Sequence, residues 1–245
     1  MRYLCVVTYD GSNYAGWQIQ NDAKSIEETI EKVISKILNE ETKIFGSGRT
    51  DAGVHALGQT FHFDSDKIKD KGKFLYSLNS LLPEDIFVQS INEVSDNFNA
   101  RFSAIDKTYE YRLNTGKYSV FTRNFEHQFL QKLDIKSVQN AAKLFIGTHS
   151  FQNFTSKPED TQNFVRTINL IDIFENNNVV VFRFNGNGFM RYMVRMIVGT
   201  LIQVGLGKLK NDDIKEILDS SERKIVSYKA SANGLFLVNV NYGEK

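Results

Sequence analysis

Cysteine, proline, long apolar runs and net charge are what this 245-residue chain has least of, and each shortage excludes something. Cys5 is the single cysteine, so neither a disulfide framework nor a cysteine zinc site is available. Its neighbours Leu4, Val6 and Val7 place it in a buried strand. Pro83 and Pro158 are the two prolines, too few for a proline-rich linker. No apolar run approaches the roughly 20 residues that cross a bilayer, and Met1-Arg2-Tyr3 leads into a strand without a signal-like stretch. The expectation is a cytoplasmic protein without a membrane partner. His55, His62, His127 and His149 are scattered and lack metal-ligand spacing. No Gly-Lys-Ser or Gly-Lys-Thr loop and no dinucleotide fingerprint occurs. Neither a metal nor a cofactor is expected. Net charge is +1, but it is unevenly spread: residues 1–104 carry 11 Lys and Arg against 15 Asp and Glu, and residues 105–245 carry 19 against 14. A basic second half suits a phosphate-bearing partner.

What is present is an ordinary globular composition, 41% hydrophobic and 24% charged. Residues 3–9 alternate as a strand. Ser25 and Glu28 form a capping box before a helix whose apolar face is Ile26, Ile30, Val33, Ile34, Ile37 and Leu38. A strand near 43–47, a strand at 58–64, a helix around 73–80 and a strand at 86–93 complete the first half. The second half repeats the order. It has a strand at 107–114 with Tyr109, Tyr111 and Leu113 on one face, then a helix capped by Asp134 and ended by Gly147. Strands at 166–174 and 178–185 follow, then an all-round apolar helix from about 188 to 204, a small helix at 212–219 and a strand at 235–242. Each half reads strand–helix–strand–strand–helix–strand, the split βαβ pattern. The fold expected is α+β: two ferredoxin-like halves, 1–104 and 105–245, in a long mixed or antiparallel sheet flanked by helices, with a central cleft. The polar stretch 152–164 reads as a long loop.

The densest motif is Gly46-Ser47-Gly48-Arg49-Thr50-Asp51-Ala52-Gly53-Val54-His55. Small residues set a carboxylate in a tight turn, and an arginine two positions earlier favours its ionised form. An aspartate in such a turn either caps backbone N–H groups or is presented to a substrate. Ala100-Arg101-Phe102 followed by Lys107-Thr108-Tyr109-Glu110-Tyr111 interleaves basic and aromatic residues. That suits RNA, whose unpaired bases stack on rings while Arg and Lys meet phosphates; the same tyrosines are also good strand formers. Arg191 and Arg195 lie four apart on an apolar helix, sharing a face, and a buried arginine requires an anion. Asp51 is one candidate, a salt bridge elsewhere another, and Arg191 can reach solvent past the helix end. Lys229-Ala230-Ser231-Ala232-Asn233-Gly234 is a small-residue turn before the last strand.

These stretches, with Tyr9-Asp10-Gly11-Ser12-Asn13-Tyr14-Ala15-Gly16-Trp17-Gln18, Gly58-Gln59 and Gly147-Thr148-His149, occur in one order over residues 3–242. Together they resemble the TruA family of tRNA pseudouridine synthases. The resemblance implies an isomerase that converts uridines 38, 39 and 40 of the tRNA anticodon stem-loop to pseudouridine, as a homodimer and without cofactor or metal. Asp51 matches the catalytic carboxylate and Arg49 its neighbour contacting RNA. Tyr109 matches the tyrosine that stacks on the target base, and Arg195 the arginine that pairs with the aspartate. Arg101, Lys107 and Arg191 are the further RNA-contacting candidates. Ser150 departs from the family, which often has Asp there. A non-catalytic RNA-binding module would not need Asp51. A hydrolase would need a second carboxylate, and neither Asp10 nor Asp64 has a comparable setting.

Overall fold

The computed structural model describes residues 1–156, 163–220, 222 and 226–243. In chain order the elements are β1 (Arg2–Tyr9), α1 (Ile26–Leu38), β2 (Phe45–Gly46), β3 (His55–Asp64), α2 (Lys71–Leu81), β4 (Ile86–Val94), β5 (Asp106–Asn114), β6 (His127–Gln128), α3 (Ile135–Ala142), β7 (Gly147–Ser150), β8 (Val165–Asn176), β9 (Val179–Gly186), α4 (Met193–Gly205), α5 (Asn211–Asp219) and β10 (Leu235–Asn241). The class is α+β, and the chain divides into two compact units: Met1–Ile105 with Phe236–Lys245, and Asp106–Leu235.

In the first unit the strand order is β4-β1-β3, with β2 pairing β3. Both β1–β3 and β1–β4 are antiparallel, which is the arrangement a split βαβ sequence produces. β10 adds to β3 in parallel, Phe236 opposite His55 and Leu237 opposite Ala56. Alternation along β1 buries Tyr3, Cys5, Val7 and Tyr9. α1 starts at the expected cap, but only half of the capping box forms: the Ser25 side chain accepts from the Glu28 N–H at 3.3 Å, while the Glu28 carboxylate pairs with Lys32 one turn on; Ile26, Ile30, Ile34 and Leu38 are buried. An aromatic chain forms the core, running from Tyr9 to Trp17 (centroids 6.1 Å), Trp17 to Phe61 (6.3 Å), Phe61 to Phe63 (6.3 Å) and Phe63 to Phe74 of α2 (6.0 Å). Each such ring removes 150–250 Å² from water, roughly 4–6 kcal/mol apiece at about 25 cal/mol/Å².

In the second unit β5 pairs antiparallel with β9, β9 with β8 and β8 with β7, and β6 lies parallel to β5. Tyr109 faces Phe184 and Tyr111 faces Phe182 across the β5–β9 ladder. Asp134 caps α3, its side chain accepting from the Ser137 N–H at 3.2 Å. Two expected boundaries are corrected. α3 ends at Ala142 and passes into a short 3-10 turn, Lys143–Phe145, so Gly147 opens β7 rather than closing the helix. α4 begins at Met193, not near 188, because Tyr192 takes a left-handed conformation (φ 63°, ψ 0°) that breaks the helical path. The apolar residues Phe189 and Met190 extend the helical pattern into a turn. Arg191 therefore does not share a helical face with Arg195. α4 is buried on all sides, as expected, except at Gln203. Of the polar stretch 152–164, Gln152–Phe154 forms a 3-10 turn with Asn153 and Phe154 buried, and residues 157–162 lie outside the described residues.

Candidate active site

Asp51 stands in the connection between β2 and β3, half-buried, between buried Thr50 and exposed Ala52. The backbone of this turn is tied down from both sides. The Trp17 N–H donates to the Thr50 carbonyl at 3.1 Å, the Gly53 N–H to the Tyr14 carbonyl at 3.3 Å, and the Val54 N–H to the Asp51 carbonyl at 3.1 Å. The Tyr9 and Thr50 hydroxyls share a buried hydrogen bond of 2.9 Å. From below, Gln59 accepts from the Ser47 hydroxyl at 2.6 Å and donates to the Gly48 carbonyl at 2.9 Å. Each bond contributes about 1 kcal/mol net, but leaving one of these buried partners unpaired costs about 1–3 kcal/mol, so the turn is held in one conformation. Gly53 has φ +76°, which a side chain would strain. Gly16, at φ +103°, lies so close that an added Cβ would sit 2.5 Å from the Thr50 carbonyl oxygen and 3.0 Å from the Asp51 carbonyl carbon.

The charges around the turn are unequal in exposure. Arg49 is exposed and close enough to Glu27 to favour that residue's ionised form. Glu27 accepts from Trp17 Nε1 at 3.2 Å and from the Ile19 N–H at 3.1 Å. Burial outweighs these bonds and raises its pKa above the usual carboxylate range. His55 is buried, with Nδ1 3.1 Å from the Gly11 N–H and 3.1 Å from Asp10 Oδ1. A single Nδ1 cannot accept from the first and donate to the second. We assign it as the acceptor, because the Gly11 N–H has the alignment of a hydrogen bond. Tyr14 donates to Asp85 Oδ1 at 2.5 Å, and burial raises its pKa. Arg101 lies on an exposed turn, its guanidinium 5.6 Å from the Phe102 ring centroid.

In the second unit Lys107 and Tyr109 share a face of β5, because side chains alternate along a strand. Tyr109 is buried, with its ring edge-on to Phe189 at 5.1 Å. Two positions on, Tyr111 donates to the Ser231 carbonyl at 3.0 Å. Its oxygen is 2.9 Å from His127 Nδ1, which fixes the proton of that imidazole on Nδ1. Arg195 lies in the first turn of α4 at 9% exposure. Its Nε donates to the Ala230 carbonyl at 2.9 Å, and its own carbonyl accepts from the Ala230 N–H at 3.0 Å. The turn Lys229–Gly234, weak as a sequence motif, is thus the clasp that orients this arginine. Arg191 is exposed, donating to the Tyr192 hydroxyl at 3.0 Å.

A family model described as tRNA pseudouridine synthase matches residues 5–103 and 141–243. The chain belongs to the tRNA pseudouridine synthase family. It is similar to tRNA pseudouridine synthase A 1 of Bacillus cereus, 41% identical over 243 residues that cover 98% of each chain. The enzyme named tRNA pseudouridine synthase A is 40% identical in Acetivibrio thermocellus, over 97% of this chain and 98% of that one. In Bacillus subtilis it is 38% identical over 99% of each. Membership makes the protein an isomerase.

Within that family frame, several residues that shape the turn were visible in the sequence only as an unexplained motif. Tyr9, Gly11, Tyr14, Gly16 and Trp17 all contact residues 50–55 directly. Their signal was the run Tyr9–Gln18 itself; their purpose required the fold. Gln59 was noted beside Gly58, and its two bonds to Ser47 and Gly48 explain why an amide is needed there.

Proposed function

We propose that the protein isomerises uridine to pseudouridine at positions 38, 39 and 40 of the tRNA anticodon stem-loop, with Asp51 as the catalytic carboxylate. The observation that carries this reading is the setting of Asp51: a half-buried carboxylate on a turn anchored by Trp17, Tyr14, Tyr9 and Gln59, in a chain of the tRNA pseudouridine synthase family. In the reaction the N1–C1′ bond breaks, the uracil turns and C5 bonds to C1′, and the C5 proton is lost as N1 gains one. Atoms balance without an external group. A fixed carboxylate can serve as nucleophile at the sugar or base, or as base at the sugar. The anchoring of the turn supplies the positioning on which such a step depends.

The target base must leave its stack to be reached. Tyr109 is assigned the platform for it, on a strand whose same face carries Lys107. Arg195 matches the family arginine that pairs with the aspartate, and its Nε bond to the Ala230 carbonyl fixes the course of the side chain. Arg49, Arg101, Lys107 and Arg191 are assigned to the RNA, neutralising phosphates. Action as a cytoplasmic homodimer, again by family resemblance, completes the reading. Among the described residues no helix is long and apolar enough to cross a membrane.

The test is incubation of the purified protein with unmodified tRNA transcripts, without added cofactor, followed by mapping of pseudouridine. Pseudouridine at positions 38–40 is expected. Its formation elsewhere only would overturn the position assignment, and its absence from all transcripts the function.

A further inference from the structure

Three cations converge on one tyrosine in the second unit. The Arg191 guanidinium carbon is 4.9 Å from the Tyr192 ring centroid, that of Arg195 is 5.2 Å away, and Lys229 Nζ is 4.4 Å away. No two of them can be farther apart than about 10 Å, roughly the screening length at 0.1 M salt, so they repel one another. The ring face offsets part of that repulsion. Tyr192 itself holds φ 63°, a conformation costly to a bulky side chain and typically retained where function requires it. The first turn of α4 contributes no acidic residue. Among the described residues neither Arg191 nor Lys229 has a carboxylate within 4 Å, and both are exposed. Arg195, by contrast, is buried and clasped by Ala230.

We propose that Arg191, Lys229 and the Tyr192 ring form a phosphodiester-binding site for the RNA backbone, pre-assembled before RNA arrives. This rests on the tRNA reading above and adds to it a specific anchor, including Lys229, which lies in a sequence motif but is not among the residues assigned to RNA. A phosphate brings the negative charge that Arg191 and Lys229 do not meet among the described residues. An exposed guanidinium and an exposed ammonium can reach its oxygens while the ring keeps both in place.

The test is the salt dependence of tRNA binding, measured by anisotropy with labelled unmodified tRNA between about 50 and 300 mM KCl. Each phosphate contact by a cation contributes about 0.7–0.9 to the slope of log K against log salt. Arg191→Gln with Lys229→Gln should lower the slope by about 1.4–1.8. Lys69→Gln, removing a comparably exposed charge in the other unit, should leave it at the parent value. Arg191→Lys with Lys229→Arg keeps both charges and should also keep the parent slope, which separates lost contacts from lost folding. A parent-like slope in the Gln double variant overturns the proposal, as does an equal fall in Lys69→Gln. Pseudouridine formation by the parent is scored separately. A parent that binds tRNA without modifying it would overturn the function, while the phosphate site would still be decided by the slopes.

Discussion

Replacing Gly16 by alanine should damage the proposed chemistry from behind the Asp51 turn, without touching any group assigned to the RNA. The added Cβ would lie 2.5 Å from the Thr50 carbonyl oxygen, 3.0 Å from the Asp51 carbonyl carbon and 3.2 Å from the Ala52 nitrogen. A carbon and a carbonyl oxygen approach comfortably no closer than about 3.3 Å, so the two segments must separate by about 0.8 Å. Neither side yields easily: the Trp17 N–H is bonded to the Thr50 carbonyl at 3.1 Å, and the Ile26 N–H at the start of α1 to the Gly16 carbonyl at 3.1 Å. The φ of +103° at Gly16 adds about 1–3 kcal/mol of strain for a residue with a side chain. Displacing a reacting group by about 1 Å costs on the order of 100-fold in rate.

The expected outcome for Gly16→Ala is therefore a folded protein melting several degrees lower, at about 2–4 °C per kcal/mol for a chain of this size. Its tRNA affinity should be close to the parent's and its single-turnover rate constant down about 100-fold. Gly207→Ala is the control. Gly207 also has a positive φ, +70°, but nothing lies within 4 Å of its would-be Cβ. It should lose about 1 kcal/mol and keep the parent rate. A rate for Gly16→Ala within threefold of the parent, or an equal loss in Gly207→Ala, would refute the claim that this glycine positions the aspartate.

Tyr109→Phe should retain more tRNA affinity than Tyr109→Leu, because a ring contributes roughly 1–3 kcal/mol of stacking per base; equal binding constants would argue against a platform. Arg195→Met should cut kcat strongly, since an arginine beside a carboxylate keeps it ionised, and near-normal turnover at neutral pH would remove Arg195 from the site. Burial lowers the pKa of His127, and it lowers that of His62 as well. Below pH about 6.5 the unfolded chain binds protons that the folded chain resists, so stability should fall toward acid until the lowered folded-state pKa values are passed. His127→Gln, which can still donate to Tyr111, should flatten the fall of Tm between pH 7 and 5; an unchanged slope would contradict the assignment.

Local pattern made much of this structure readable. Strict alternation marks β1, Ser25 and Asp134 mark two helix starts, and the glycines around Asp51 mark a turn. Where several physical demands coincide in a few adjacent residues, sequence is informative. The start of α4 was hidden because Phe189 and Met190 are apolar at helical spacing although the chain turns at Tyr192, and apolar spacing does not record φ. β6 and β7 are two and four residues long, too short for a period to show. The parallel pairing of β10 with β3 joins residues far apart in the chain, and nothing in either strand alone encodes it. The contacts of Tyr9–Trp17 with the Asp51 turn are of the same kind: the motif is visible, but which backbone it braces depends on the fold. Ala230 and Gly16 act through backbone position, which side-chain chemistry cannot advertise.

Asp51→Asn tests the central claim most directly. Asparagine matches aspartate in size and can hydrogen-bond, but it can act neither as nucleophile nor as base. Saturating enzyme and a single turnover on unmodified tRNA isolate the chemical step from binding. Pseudouridine formation at positions 38–40 should disappear, while the melting temperature and tRNA affinity stay near the parent's. A rate constant for Asp51→Asn within about tenfold of the parent would contradict the assignment of Asp51 as the catalytic carboxylate.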